Sequence, residues 1–181
     1  MSDTKHEVFI SYHHEDQEEV DEFIKNFSDE KNIFIARALG VNMSDDIINS
    51  NDTDYVMRRI RELYLNKSTV TIVMLGKCTW TRKYVDWEIQ SSLRQGENII
   101  PNGVLGVKLP SYRNNGYPDR LNKNLKQSDE HEEYYAKVID YPVRKDTLRN
   151  AIEDAFQART KRNSYIVNPR ERFKYNRNCN S

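Results

Sequence analysis

The sequence predicts an α/β protein whose mostly parallel sheet is flanked by helices on both faces. Three observations carry that expectation. Short β-rich runs alternate with segments whose apolar residues recur at helical spacing, in β-α-β-α order. The connections between successive runs are long enough for helical crossovers, which parallel strands require. The run at residues 69–75 is apolar on both faces towards its end, as a central parallel strand should be.

The elements follow in order. Residues 7–12 form a β-rich run that feeds a polar loop, His13, His14, Glu15 and Asp16. Asp16 is placed to N-cap a helix reaching about Phe27, with Val20, Phe23, Ile24 and Phe27 on one stripe. Residues 32–36, containing Ile33, Phe34 and Ile35, read as a second strand, and residues 37–44 as a loop with Gly, Asn and Ser. After a polar stretch, Asp54 is the expected cap of a helix with the stripe Val56, Ile60 and Leu63. The third strand, 69–75, stops at Gly76. Thr81 is the expected cap of the next helix, with Val85, Ile89 and Leu93 spaced by four and Gly96 closing it. Residues 104–109 make a fourth strand, and 110–134 a long surface loop or short irregular helices. Residues 138–141 make a short fifth strand. Asp146 then caps a last helix with Leu148, Ile152 and Phe156 on its stripe. The division expected is one domain over residues 5–160 and a basic polar tail over 161–181, with one apolar patch at Tyr165, Ile166 and Val167.

Composition bounds the function. The chain has 181 residues, with 28 Lys and Arg against 28 Asp and Glu, so a basic excess for binding nucleic acid is missing. A mean hydropathy of -0.88, and a longest apolar run confined to residues 70–75, argue against a membrane protein. The first seven residues carry acids where a secretory leader would be basic, so a soluble, cytoplasmic protein is expected. Two cysteines, Cys78 and Cys179, make neither a disulfide framework nor a metal knuckle. Neutrality is an average: residues 1–54 hold 14 acids, whereas seven bases follow from Arg159 onward against Glu171 alone. Such a tail either pairs with the acidic face or stays solvated, or else it docks a partner.

In an open parallel sheet, ligands bind outside the carboxyl ends of the strands. Chemistry is therefore sought at residues 11–16, 37–44 and 76–88. Gly103 and Gly106 give only GxxG, and no Walker pattern exists, so ordinary dinucleotide or P-loop binding is not expected. His13 and His14 beside Glu15 and Asp16 suggest a metal, but neighbouring histidines do not easily face one ion, and no metal is expected. Ser11 lacks a nucleophile-elbow sequence. Glu88 stands apart. It lies on the helix after the central strand, with Tyr84, Val85, Ser91 and Ser92 as its helical neighbours. Desolvation at the edge of the buried stripe would tune such a carboxyl for chemistry, while a rim ion pair with Arg82 is the plainer reading.

Two stretches carry a resemblance. Phe9, Ile10, Ser11, Tyr12, His13, His14, Glu15 and Asp16 resemble the first-strand motif of TIR domains, an F-I-S-Y start with an Asp closing the loop. Residues 69–80, ending in Thr79 and Trp80, followed by Tyr84, Val85, Asp86, Trp87, Glu88 and Ile89, resemble the TIR-like branch of bacterial Thoeris antiphage systems, the ThsB family. The resemblance spans roughly residues 5–155. Tyr84 departs from the family's usual Trp but keeps an aromatic, and residues 37–44 match nothing in the family's pattern, which leaves a homo-oligomer open.

What this resemblance implies is a flavodoxin-like fold and an enzyme that consumes NAD+ as substrate, with no cofactor. It would split the nicotinamide–ribose bond and make a cyclic ADP-ribose isomer or an ADP-ribose conjugate. That diffusible signal would activate a separate effector protein during phage infection, with a phage-derived component as the trigger. The family's catalytic glutamate falls on Glu88. Ser11 and His13 are placed to touch ribose or phosphate, Tyr12, Trp80, Tyr84 and Trp87 to wall the pocket, and Arg82 with the helix N-terminus to meet the pyrophosphate. A non-catalytic TIR interaction module, or a nucleotide-binding domain, is the alternative.

Overall fold

The computed structural model describes residues 5–28, 34–38 and 50–179. Five strands, β1 (His6–Ser11), β2 (Phe34–Ala38), β3 (Val70–Leu75), β4 (Gly103–Lys108) and β5 (Lys137–Ile139), form one sheet. Their order is β2-β1-β3-β4-β5, and every pair is parallel. This is the flavodoxin-like arrangement. Strand order reverses beside β1, which opens a crevice at the carboxyl ends of β1 and β3.

Alternation along the strands divides the core between two helical layers. Val8 and Ile10 of β1, with Val70, Ile72 and Met74 of β3, meet α1 (Gln17–Phe27) through Val20, Phe23 and Phe27. On the same face they meet α5 (Lys145–Lys161) through Leu148, Ile152 and Ala155. Phe9 points the other way, into Val56, Met57 and Ile60 of α2 (Thr53–Ile60) and Trp87 of α3 (Lys83–Ser92). Val73 and Leu75 join Val85 and Ile89 of α3, together with Leu121 of the short α4 (Asp119–Asn122). All six residues of β3 are buried, as expected for the central strand. Gly103 lets α5 approach closely: an added Cβ there would overlap the Ala155 carbonyl.

Three expected helix caps are displaced, each for a local reason. The cap of α2 is Asp52, whose Oδ1 accepts the Asp54 and Tyr55 N–H groups at 3.1 Å each, so Asp54 lies inside the first turn. Thr81 ends a 3-10 turn and donates to the Cys78 carbonyl at 2.7 Å, so the start of α3 falls to Arg82. Arg144 precedes α5, and Asp146 sits in its first turn, paired with Arg149 at 3.0 Å. Asp16 does hold the N-cap position of α1, although its side chain makes no capping hydrogen bond and turns to the site below. Gly96 does not close α3; Leu93 does, and Gly96 bridges Ile99. Leu63 is 45% exposed although its spacing from Ile60 predicted burial. A π-helical turn over Arg61–Leu65 adds a residue to that turn, which moves the stripe on to the buried Leu65. Arg37 and Ala38 extend β2 rather than opening a loop. Residues 32–33 of the expected strand and 39–44 of the expected loop lie outside the described residues.

The chain after α5 returns across the molecule instead of trailing away. The Asn124 Nδ2 donates to the Val167 carbonyl at 2.8 Å, and Arg120 donates to the Pro169 and Glu171 carbonyls at 2.7 and 2.6 Å. The Trp87 indole donates to the Phe173 carbonyl at 2.8 Å. Cys179 is bonded to Cys78, 101 residues earlier, so the two cysteines form a single cross-link. Sheet, α2 and this returning segment surround α3, and residues 85–89 are buried in succession. No helix among the described residues is long and apolar enough to cross a membrane.

Candidate active site

The β1–β3 register fixes the first side of the crevice. Ser11 ends β1 opposite Val73, with its side chain on the face that α3 covers. Across from it, α3 presents Glu88, which is only 2% exposed. The Ser11 hydroxyl donates a short hydrogen bond to Glu88 Oε2. No ion pair reaches this carboxylate among the described residues, so the rim pairing with Arg82 is not formed. Burial pushes the Glu88 pKa up to about 8, opposed by the Ser11 hydrogen bond. One turn further on, Ser92 donates to the Glu88 carbonyl at 2.8 Å and lies 2.7 Å from the Thr71 hydroxyl, which fixes the helix against β3.

The turn after β1 brings a second acid under the site. Asp16 makes no capping hydrogen bond to α1; its side chain is buried and directed at the end of β3. An added Cβ on Gly76 would overlap the Asp16 carboxylate, so glycine leaves the space this carboxyl occupies. Thr79 closes the arrangement. Its hydroxyl accepts the Gly76 N–H at 2.8 Å, and it lies 3.2 Å from the Met74 carbonyl and 3.4 Å from Asp16 Oδ2. Burial, then the charge of Glu19, raises the Asp16 pKa to about 6.

His13 is buried, and desolvation followed by the charge of Arg82 lowers its pKa to about 4. It is a neutral imidazole at ordinary pH. Its rings with His14 approach edge to face at 4.2 Å. His13, His14 and Glu15 bring one ligand atom each within 4.8 Å of one another, so neighbouring histidines do converge here. The Arg82 charge beside His13 opposes a cation at that point.

The remaining expected residues divide into two groups. Trp80 is half-buried with its indole N–H buried and unpartnered, and the Arg82 Nε is likewise unpartnered. Both stand at the turn before α3 with polar groups to offer a ligand. Tyr12 feels the Glu88 charge, yet its hydroxyl donates to Gln17 at 2.6 Å. Tyr84 meets Trp87 edge to face at 5.3 Å, and both pack towards α2. Trp87 is thereby placed in the α2 layer, and its N–H is held by the returning segment. Asn176 Oδ1 accepts the Lys83 N–H at 2.9 Å, so the first turn of α3 is partly capped from that segment.

Sequence reasoning missed two parts of this region. Asp86 is buried and paired with Arg120 Nε at 2.9 Å, and it accepts the Phe173 N–H at 3.0 Å. The local signal was weak: Asp86 and Glu88 flank Trp87 between Val85 and Ile89, at the border of the apolar stripe, where acids are usually solvated. The placement of Asp16 beneath Gly76 is a contact between segments 60 residues apart, which local patterning does not report.

None of the curated proteins compared with the chain matches it. Residues 9–114, which include the end of β1, the turn after it, β3, Glu88 and β4, match the family described as Thoeris protein ThsB, TIR-like domain. Matched over more than half its length and folded as a flavodoxin-like sheet, the chain belongs to the ThsB TIR-like family of Thoeris defence proteins.

Proposed function

We propose that the chain is an enzyme that cleaves the nicotinamide–ribose bond of NAD+ and passes the ADP-ribose moiety into a cyclic isomer or a conjugate. The observation that carries this reading is Glu88, a buried carboxyl held by Ser11 at the switch point of the sheet. In the free site its pKa of about 8 keeps it largely protonated near neutral pH. A cationic pyridinium beside it favours the carboxylate. As the C1′–N bond breaks, nicotinamide leaves with the bonding pair and needs no proton. The positive charge moves to the ribose, where a desolvated carboxylate stabilises it more strongly than water does.

The acceptor, water or an adenine nitrogen, then bonds to C1′, and any proton it releases passes to Glu88. Ser11 orients the carboxylate throughout. Arg82 and the indole N–H of Trp80 supply unpartnered donors for the pyrophosphate and the ribose hydroxyls. Neutral His13 serves as a hydrogen-bonding group rather than as a cation. NAD+ is the substrate, the product acts on a separate effector, and a phage-derived component triggers the reaction in the cytoplasm.

The test is mass spectrometry of small molecules from cells expressing the chain, before and after phage infection. Nicotinamide and a new ADP-ribose derivative should rise on infection with the wild type and not with Glu88→Gln. Infected cells that form neither species would sink the enzyme reading.

A further inference from the structure

The edge of the sheet opposite Glu88 carries a second built feature. Here α3 ends, and Ser68 and Asn102 lead into β3 and β4. Two adjoining grooves of about 590 and 640 Å³ share Arg61, Ser91 and Arg94 in their walls. Together the walls hold Arg58, Arg61, Arg94, Arg159, Arg170 and Arg172, against only Asp54 and Glu62 as acids. Three distant parts of the chain converge to build this cluster: the π turn after α2, the end of α3 and the returning segment.

The cluster is poorly neutralised from within. Arg61, Arg94 and Arg170 make no ion pair among the described residues. Arg172 Nη1 is buried without a hydrogen bond, and its ionic neighbour, Asp54, is 3.6 Å away with a side chain 94% exposed. The charges of Arg94 and Arg172 add to burial in lowering the Arg61 pKa. Like charges gathered at one groove repel, and an anion seated between them reverses that cost. Guanidinium forks match phosphate oxygens in pairs. A volume of this size suits a small molecule rather than a polymer. The neutral total charge of the chain likewise fits a local anion site and not a nucleic-acid track.

The geometry points to a second ligand site at the amino-terminal edge of the sheet, formed by Arg61, Arg94, Arg170 and Arg172, that takes the diphosphate group of a small phosphorylated molecule. It is separate from the reaction at Glu88 and does not depend on it.

Isothermal titration of the full chain with inorganic pyrophosphate, and in parallel with ADP, tests the site. Saturable binding that weakens as salt is raised is expected. Arg61→Gln combined with Arg94→Gln should weaken it at least tenfold. Arg170→Gln combined with Arg172→Gln, on the surface segment, should weaken it similarly and leaves the core untouched if the first pair perturbs folding. In the Arg82→Gln background, which removes the pyrophosphate donor assigned to the Glu88 site, saturable binding should persist and remain sensitive to both arginine pairs. Tighter binding of pyrophosphate or of ADP identifies a free or a nucleotide-borne diphosphate, and either supports the site. Absence of saturable binding to both probes, or binding in the Arg82→Gln background that survives both arginine pairs, overturns it.

Discussion

Ser11, the last residue of β1, donates its hydroxyl proton to Glu88 of α3, 77 residues later in the chain. This bond crosses the crevice where the strand order reverses, and among the described residues it is the polar contact that favours the ionised form of the buried carboxyl. Ser11→Ala should therefore push the Glu88 pKa further up. The kcat/KM for nicotinamide release is expected to fall about tenfold at pH 7 and to recover in part at higher pH. A pH–rate profile checks this. An unshifted profile in the variant would contradict the assignment.

Burial of Glu88 also sets a pH dependence of stability. Its pKa is about 8 in the folded state against the ordinary 4.5, so the native protein keeps a proton that the unfolded chain has released. Stability from this group is full below about pH 4.5 and is lost as pH rises through about 8. His13 acts with the opposite sign: lowered from 6.5 to about 4, it destabilises the fold as pH falls through that window. Glu88→Gln keeps an acceptor for Ser11 and removes the ionisation. Thermal melts of wild type and variant should coincide near pH 4.5 and separate by several degrees at pH 8, with the variant the more stable. Parallel curves across that range would refute the buried assignment.

Much of the fold was legible in the sequence because its signals are local. The strands are apolar runs, α1 and α5 show their stripes, and β3 is apolar on both faces. Glu88 was legible through the pattern shared by residues 84–89. What was not legible depends on contacts between distant segments. Asp16 reads locally as a helix cap, yet the space left by Gly76 draws it inward. Leu63 reads as core until a π turn shifts the phase. The basic segment after Arg162 reads as pairing with the acidic face or staying solvated. Arg172 does reach Asp54 at 3.6 Å, but backbone carbonyls of the segment also bind it to Arg120 and Trp87, which local patterning does not report.

That segment gives a stability prediction. Arg120 is 3% exposed, pairs with Asp86, and holds the Pro169 and Glu171 carbonyls. Arg120→Ala strands a buried carboxylate, a loss of about 3–5 kcal/mol by comparison with other broken buried pairs. Asp86→Asn in the same chain should restore part of it. Urea denaturation of the single and double variants measures both terms. A single variant as stable as wild type would show that the node does not hold the segment.

The central claim is that the Glu88 carboxylate drives nicotinamide release. Purified wild type and Glu88→Gln, each incubated with NAD+ and extract from phage-infected cells, compare it directly by chromatographic assay of nicotinamide. With circular dichroism showing both folded, the variant should lose at least about a hundredfold in rate, the scale of removing one preorganised charge at a reacting centre. Equal rates in the two proteins would contradict the account.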